Sequence, residues 1–214
     1  MKLGIVGTGA MGKTLADYAG EEGTFESIYM IEPAEENCWP EVKLDLLIDF
    51  SHPEAVHKIY AYCLAQGGGL PVVLATTGYR AEEELVISLL EKICPVHRNT
   101  NYSRGIAIMT EAVQRAASLA GKLEPESCDI RLTEVHHSRK LDAPSGTART
   151  LCRVLGIDPE DGDRVKSLRM GTVCGEHTVY FAMKDEILEI RHTAFSKKIF
   201  AAGALEAGKK LMKR

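Results

Sequence analysis

The chain has 214 residues, a formal net charge of −4 and 45% hydrophobic residues, which is typical of a globular protein with one large or two small domains. The slightly acidic balance disfavours nucleic acid and anionic membranes as partners, and no apolar run reaches the ~18 residues of a membrane span. The six cysteines lie far apart without a Cys-x-x-Cys pair, so we expect reduced thiols, no bound metal and a cytoplasmic location.

The first part of the chain alternates short apolar runs with helical patterns, which predicts a parallel α/β sheet. The predicted strands are Lys2–Val6, Ser27–Ile31, Leu44–Phe50, Pro71–Ala75 and a fifth that starts at Pro95–His97. The predicted helices are Met11–Glu22, Glu54–Ala65 and Ala81–Ile93.

The pattern changes after residue 103 and predicts a mixed sheet covered by helices. The predicted helices are Arg104–Leu119, Gly146–Leu155 and Lys197–Lys213, and the predicted strands are Ser127–Val135, Val165–Met170, Thr172–Met183 and Glu186–His192. We expect a bend or bulge at Gly175. The last helix is expected to return to the first domain. Residues 1–102 and 194–214 would then form one domain, with residues 103–193 inserted as a second.

A glycine-rich loop joins the first predicted strand to the first helix. Gly7, Gly9 and Gly12 fit the pattern Gly-x-Gly-x-x-Gly, in which the glycines permit a tight turn, close approach of a pyrophosphate and helix–strand packing. This context predicts a Rossmann-type dinucleotide-binding fold, and the alternative is a glycine turn without a ligand. The other candidate cofactor-binding residues in the loop are Thr8, Ala10, Met11 and Lys13.

Two charged residues bear on which nicotinamide coenzyme binds. Glu32 ends the second strand, twenty residues after Gly12, where an acid accepts hydrogen bonds from the ribose hydroxyls and repels a 2′-phosphate. Lys13 has the opposite effect, because it can reach that phosphate. NADH is therefore slightly favoured, and NADPH stays an alternative.

Two later segments follow strands of the same predicted sheet. Ligands bind outside the carboxyl ends of such strands, so we expect these residues to meet the nicotinamide ribose and amide. Ordinary helix capping by Ser and Thr is the alternative. The candidates are Phe50 and Ser51 after the third strand, and Ala75, Thr76, Thr77 and Gly78 after the fourth.

The run from Glu134 to Thr147 contains several proton-transferring and anion-binding groups within fourteen residues. It contains two imidazoles, His136 and His137, the ammonium of Lys140, and a Ser-Gly-Thr helix start at residues 145–147. Imidazoles transfer protons near neutral pH, and a helix N-terminus binds anions. The run suits a small anionic substrate that must be held and then protonated.

This Glu-x-His-His-x-x-Lys-x-Asp-Ala-Pro-Ser-Gly-Thr-Ala run resembles the signature of the 4-hydroxy-tetrahydrodipicolinate reductase (dihydrodipicolinate reductase) family of lysine biosynthesis. The likeness continues at Ile48–Ala55, Ala75–Tyr79, Asn101–Ser103, Gly175–Val179 and Phe200–Leu205. It implies NAD(P)H-dependent reduction of a cyclic imine dicarboxylate to tetrahydrodipicolinate, in the diaminopimelate pathway to lysine. It also implies a homotetramer assembled through a sheet of the second domain.

The resemblance also implies residue roles. His136 matches the histidine assigned to proton transfer, and Lys140 is the other candidate donor. Substrate carboxylates would be bound by His137, Ser145, Gly146 and Thr147, and by Lys197 at a position where the family usually has arginine. Further cofactor contacts are expected at Asn99, Asn101 and Tyr102.

The chain departs from the family pattern between Glu32 and Lys43, where it is shorter and is expected to lack a helix. His177 and His192 are expected to be structural. Two rival functions stay open: an amino-acid or diamino-acid dehydrogenase of the same architecture, and a non-catalytic nucleotide-binding protein.

Overall fold

The computed structural model describes residues 1–123 and 128–213, which form two compact units. One unit is Met1–Tyr102 together with the segment from Lys198, and the other is Ser103–Lys197. Across the described ranges, no helix is both long and apolar enough to cross a membrane. The predicted strand start at Ser127 lies outside the described residues.

The first unit contains a parallel sheet with the strand order β2-β1-β3-β4-β5. The strands are β1 (Lys2–Val6), β2 (Ser27–Ile31), β3 (Leu46–Asp49), β4 (Val72–Leu74) and β5 (Val96–Arg98). The helices are α1 (Ala10–Glu22), α2 (Ala55–Ala65) and α3 (Ala81–Ile93). The predicted α/β class with a Rossmann-type sheet is therefore confirmed.

The remaining elements in chain order begin with α4 (Arg104–Leu123), β6 (Asp129–His136) and α5 (Gly146–Leu155). They continue with β7 (Val165–Arg169), β8 (Gly175–Ala182), β9 (Ile187–Ala194) and α6 (Lys198–Leu211). Helix α6 belongs to the first unit and packs on its sheet: a Cβ on Gly208 would lie 2.6 Å from a methyl of Leu46, so glycine permits this close approach.

The strand order reverses direction between β1 and β3, and this switch point positions the candidate ligand site of the first unit. The carboxyl ends of two parallel strands diverge there to leave a crevice, the usual ligand position in such sheets. Gly7 follows β1 with φ +103°, and a Cβ at this residue would lie 2.6 Å from the carbonyl oxygen of Phe50 after β3. Only glycine fits this turn.

The second unit contains a mixed sheet with the order β7-β6-β8-β9, in which β6 and β7 are parallel and the other neighbours antiparallel. Helices α4 and α5 contribute to its core, which includes Val113, Leu132, Leu151, Val179 and Phe181. Each helix has apolar side chains along one face, and strands such as β8 have them at alternate positions, as at Val179 and Phe181. These apolar faces pack together and form the core.

Three local predictions are corrected. Gly175 is not in a bulge, because it is the first residue of β8 and pairs in register with Ala194. Strand β8 starts there and not at Thr172, since the chain turns just before it. The short segment after Glu32 does contain a helix, a 3-10 turn at Glu36–Cys38.

Candidate functional site

The glycine loop leads directly into the N-terminus of α1. Gly9 is the N-cap, and among the described side chains none caps this helix, so first-turn N–H groups and the positive dipole end are left for an anion. A Cβ on Gly9 would meet no atom of the described residues within 4 Å, whereas a Cβ on Gly12 would lie 1.9 Å from the carbonyl oxygen of Gly7. Gly9 thus leaves open space above the helix, and Gly12 permits helix–strand contact. Both features fit a bound pyrophosphate.

Thr8 and Glu32 meet across the ends of β1 and β2. The Thr8 hydroxyl donates to Oε2 of Glu32 at 2.6 Å, which orients the carboxylate beside the glycine loop. Lys13 is exposed on α1, one turn into the helix. The structure thus brings the acid predicted to meet the ribose to the same loop that fits the pyrophosphate.

A buried carboxylate that sequence reasoning missed organises the two loops after β3 and β4. Asp49 accepts hydrogen bonds from the Ser51 hydroxyl and from the Ser51 N–H, the latter at 3.1 Å. The hydroxyl of Tyr79 lies 3.4 Å from its other oxygen, and Thr76 Oγ1 accepts from the Ser51 N–H at 3.1 Å. Burial raises the pKa of Asp49, although hydrogen bonds from Ser51 and Thr76 act in the opposite direction. Asp49 therefore joins the loop of Phe50 and Ser51 to the loop of Thr76.

The segment after β5 is held by the side chain of Asn99 and by β4. Asn99 accepts the N–H of Asn101 at 3.2 Å, and the N–H of Asn99 donates to the carbonyl oxygen of Leu74 at 3.3 Å. Tyr102 is buried, and its hydroxyl donates to the same carbonyl at 3.1 Å. This places the Tyr102 ring in the core, and its side chain serves packing. Ala75, Thr77 and Gly78 lie in the loop after β4.

In the second unit, β6 carries the first imidazole of the signature run. His136 Nδ1 contacts Oε2 of Glu134, two residues earlier on the same face of the strand, and Glu134 is fully buried. Arg169 donates to the other oxygen of Glu134 at 2.9 Å. The pKa of Glu134 is lowered to about 2, because hydrogen bonds from His136, Ser167 and Arg169 outweigh the opposing effect of burial. Glu134 and Arg169 were not among the predicted site residues.

The loop after β6 gathers positive charge. Burial, together with the nearby positive charges of Lys197, Arg139 and Lys140, lowers the pKa of His137. The Lys140 ammonium donates to Oδ1 of Asp142 at 2.7 Å. The structure therefore brings Lys197 to the signature run, although the two are almost sixty residues apart in sequence. This concentration of cations suits a dianionic ligand.

Helix α5 begins beside these cations. Ser145 is its N-cap and accepts the N–H of Ala148 at 3.2 Å, and Gly146 and Thr147 form its first turn. Ser145 Oγ also lies 3.1 Å from Nε2 of His177, a buried residue of β8. Burial lowers the pKa of His177 to about 3, so this imidazole is neutral at physiological pH. The N-terminus of α5 is thus a rigid, polar place for a carboxylate.

A histidine outside this cluster is held separately: His192 Nε2 lies 3.3 Å from Oγ of Ser103, at the start of α4. A Cβ on Gly105 would lie 2.5 Å from Cδ2 of the His192 ring, so glycine leaves the room that the ring needs. These contacts are structural.

The donor atoms of Glu134, His136 and His177 lie within 4.8 Å of one another, close enough in distance to hold a metal ion. Both oxygens of Glu134 already have hydrogen-bond partners, one of which is the Arg169 guanidinium. A metal ion would lie beside that cation in a buried setting, where like charges repel strongly. The geometry favours a histidine hydrogen-bonded to a carboxylate over a metal centre.

The cofactor half and the signature half both match known sequences. A family model described as dihydrodipicolinate reductase, N-terminus, matches residues 1–102, and one described as dihydrodipicolinate reductase, C-terminus, matches residues 105–214. A 4-hydroxy-tetrahydrodipicolinate reductase of Thermosipho africanus is 37% identical over 100% of this chain and 93% of its own length. One of Staphylococcus saprophyticus is 36% identical over 99% of this chain and 95% of its own length.

Solved structures agree in fold. A dipicolinate-bound dihydrodipicolinate reductase from Paenisporosarcina sp. TG-14 superposes with a TM-score of 0.71 at 20% identity, covering 100% of this chain and 95% of that one. An aspartate dehydrogenase from Thermotoga maritima gives a TM-score of 0.53 at 15% identity, covering 99% and 96%. The second likeness concerns the architecture alone, whereas the two family models span nearly the whole sequence. This chain belongs to the dihydrodipicolinate reductase family, a family of nicotinamide-dependent oxidoreductases that act on a small-molecule substrate.

Proposed function

We propose that this protein reduces 4-hydroxy-tetrahydrodipicolinate to tetrahydrodipicolinate with NADH or NADPH, as a step of diaminopimelate and lysine biosynthesis. The observation that carries the proposal is the signature run, which places His137, Lys140 and the N-terminus of α5 together in a chain whose two halves both match this family. The names of full-length relatives support the same reaction.

The substrate carboxylates are assigned to the N-terminus of α5 and the cations around it. Ser145, Gly146 and Thr147 present the positive end of the helix dipole, and His137 and Lys197 add side-chain donors. A dicarboxylate held this way is oriented by several fixed groups, which reduces the entropy that the reaction must overcome.

The proton donor is His136 or Lys140. Loss of the 4-hydroxyl group and a ring proton as water converts the substrate into a conjugated imine. The bound nicotinamide would supply the hydride, and hydride addition to this imine pushes electron density onto its nitrogen. A cationic acid nearby stabilises that charge and then donates a proton. His136 is held by Glu134, and Lys140 is held by Asp142. Both candidate donors, the His136 imidazole and the Lys140 ammonium, are therefore held in place before substrate binds.

The cofactor is assigned to the first unit, residues Met1–Tyr102 with the segment from Lys198. Gly7 to Lys13 would hold the pyrophosphate, and Glu32 the adenosine ribose. Phe50, Ser51, the loop at residues 75–78, and Asn99 and Asn101 would border the nicotinamide, and Tyr102 would support them from the core. The Thr8–Glu32 hydrogen bond supports a preference for NADH over NADPH.

The second unit, Ser103–Lys197, is assigned substrate binding and assembly into a homotetramer. Its edge strand β9 carries exposed apolar side chains at Ile187 and Leu188, which supports burial of this edge in an oligomer. All six cysteines are free thiols, which supports a reducing cytoplasmic location. Light scattering on the purified protein tests the tetramer directly.

The test of function is oxidation of NADH and of NADPH with substrate generated in place by the preceding synthase. We expect turnover in the wild type, and a loss of at least about 10²-fold in kcat for Lys140→Ala. The matched control is Lys184→Ala, an exposed lysine of the same unit, with unchanged turnover. A folded protein that binds NADH without turnover would instead support a nucleotide-binding protein.

A further inference from the structure

Glu134 is a buried carboxylate with a separate partner for each oxygen. Its side chain is fully buried, which is rare for an acid unless it is paired. Oε2 is in contact with Nδ1 of His136, and Oε1 accepts from the Arg169 guanidinium at 2.9 Å. The carboxylate stays ionised at neutral pH, because these hydrogen bonds lower its pKa to about 2 against the effect of burial.

An ionised carboxylate determines the tautomer of the imidazole beside it. A carboxylate only accepts hydrogen bonds, so the His136 nitrogen in contact with it, Nδ1, must carry a proton. The second nitrogen, Nε2, is then the one that exchanges a proton with substrate. This nitrogen faces Gly175, where an added Cβ would lie 3.1 Å away, so glycine leaves the room that the ring occupies.

Arg169 links this imidazole to the loop of the second candidate acid. The same terminal nitrogen that binds Glu134 also lies 2.5 Å from the carbonyl oxygen of Asp142, to which it donates. The side chain of Asp142 holds the Lys140 ammonium at 2.7 Å. One guanidinium at the end of β7 therefore spans the strand that carries His136 and the loop that carries Lys140.

We propose that Glu134 and Arg169 are positioning residues of the reductase. Glu134 holds the His136 ring in its Nδ1-protonated form, and Arg169 neutralises Glu134 while tying it to the Lys140 loop. The proposal rests on the proposed function, in which His136 or Lys140 protonates the reduced substrate. Neither residue has to touch substrate, since each acts through a group that does.

The test compares Glu134→Gln, Glu134→Asp and Arg169→Lys with wild type by kcat, KM and ¹⁵N NMR of histidine-labelled protein. In Glu134→Gln we expect kcat to fall about 10²-fold, KM to change less than about threefold, and the Nδ1-protonated signal of His136 to be replaced by a tautomer mixture. Arg169→Lys keeps the charge but lacks the second terminal nitrogen, which donates to the carbonyl oxygen of Leu168 and fixes the side chain, so we expect a fall in kcat of about tenfold. Asp129→Asn, at the exposed start of β6, is the matched control with unchanged kcat.

The two readouts separate this inference from the function on which it rests. If wild type has no reductase turnover, the proposed function fails, while the His136 tautomer in wild type and Glu134→Gln still decides whether Glu134 positions the ring. A normal kcat and an unchanged tautomer in Glu134→Gln would overturn the positioning role. If Glu134→Gln does not fold, Glu134→Asp decides: the shorter carboxylate should lower kcat about tenfold, and an unchanged kcat contradicts the proposal.

Discussion

The hydroxyl of Thr8 donates to Glu32 at 2.6 Å, so the residue after the first glycine of the loop orients the acid at the end of the neighbouring strand. Parallel pairing of β1 with β2 aligns Val6 with Ile31. The segments that carry Thr8 and Glu32 therefore leave the sheet side by side. The hydrogen bond keeps the carboxylate at the expected place of the adenosine ribose, where a 2′-phosphate would be repelled.

Replacing the acid should change coenzyme selection. For Glu32→Gln we expect the ratio of kcat/KM for NADH to that for NADPH to fall about tenfold, because the charge repulsion is removed at a partly exposed site. The control is Glu36→Gln, an exposed acid in the adjoining 3-10 helix, with an unchanged ratio. Steady-state kinetics with both coenzymes measures the ratio. A constant ratio would mean that another group selects the coenzyme.

Alanine substitutions at two glycines of the loop should affect NADH affinity and protein stability to different extents. Gly9→Ala adds a methyl where the described part of the chain has no atom within 4 Å, so we expect a cost of about 1 kcal/mol or less in stability. The affinity for NADH should still fall about tenfold, since the methyl would enter the pyrophosphate space. Gly12→Ala places its methyl 1.9 Å from the Gly7 carbonyl oxygen and should cost about 3 kcal/mol. Thermal unfolding and nucleotide fluorescence titration distinguish the two; equal effects of both changes would refute this reading.

The elements were predictable where local signals mark their ends. Helix α3 spans Ala81–Ile93 as predicted, with three acids in its first turn. Helix α5 spans Gly146–Leu155 as predicted, because Ser145 caps its start and Gly156 ends it in the left-handed conformation at φ +67°. The α4 helix runs past its predicted end to Leu123, since Gly121 is accommodated inside the helix at a cost of about 1 kcal/mol and does not end it.

The site was predictable only where it is contiguous in sequence. The signature run and the glycine loop are local motifs. Arg169 is 35 residues from Glu134, and Tyr79 is 30 from Asp49, so only strand pairing brings each pair together. Strand alternation places Glu134 and His136 on one face of β6, but it does not indicate that the acid is buried and ion-paired. Long-range charge pairs of this kind have no signature in a single sequence.

Gly175 should matter because of the imidazole that faces it. A methyl at this residue would lie 3.1 Å from Nε2 of His136, closer than ordinary contact, so the ring must shift in Gly175→Ala. We expect kcat to fall about tenfold, since even a small displacement of an acid reduces proton transfer. Gly162→Ala is the control, because a Cβ there meets nothing within 4 Å in residues 1–123 and 128–213. Unchanged kcat in Gly175→Ala would show that the orientation of the His136 ring does not limit turnover.

Lys197 lies at a position where the family resemblance implies an arginine. Lys197→Arg keeps the positive charge that acts on His137 and adds a planar fork that binds a carboxylate with two hydrogen bonds. We expect KM for the substrate to fall about threefold to tenfold with little change in kcat. Lys198→Arg is the control, because Lys198 pairs with Glu21 in the first unit. A raised KM in Lys197→Arg would indicate that the site is shaped for the smaller ammonium.

His177 should make the protein acid-sensitive. Its ring is buried, its Nδ1 has no hydrogen-bond partner among the described residues, and burial lowers its pKa from 6.5 to about 3. Between these two values the unfolded chain binds a proton that the folded protein does not. Stability is therefore full above pH 6.5 and is lost as the pH falls toward 3, at up to about 1.4 kcal/mol per pH unit.

The measurement is the unfolding temperature of wild type and of His177→Gln between pH 7 and pH 4. Glutamine keeps a polar group near Ser145 but does not titrate, so the variant should be less stable at pH 7 and lose less stability on acidification. We expect the fall in unfolding temperature to be smaller in the variant by on the order of 5 °C. His57→Gln, on the exposed surface of α2, should retain the wild-type slope. Parallel curves for wild type and His177→Gln would mean that other groups cause the acid sensitivity. The pKa of His177 would then be the same in the folded and the unfolded protein.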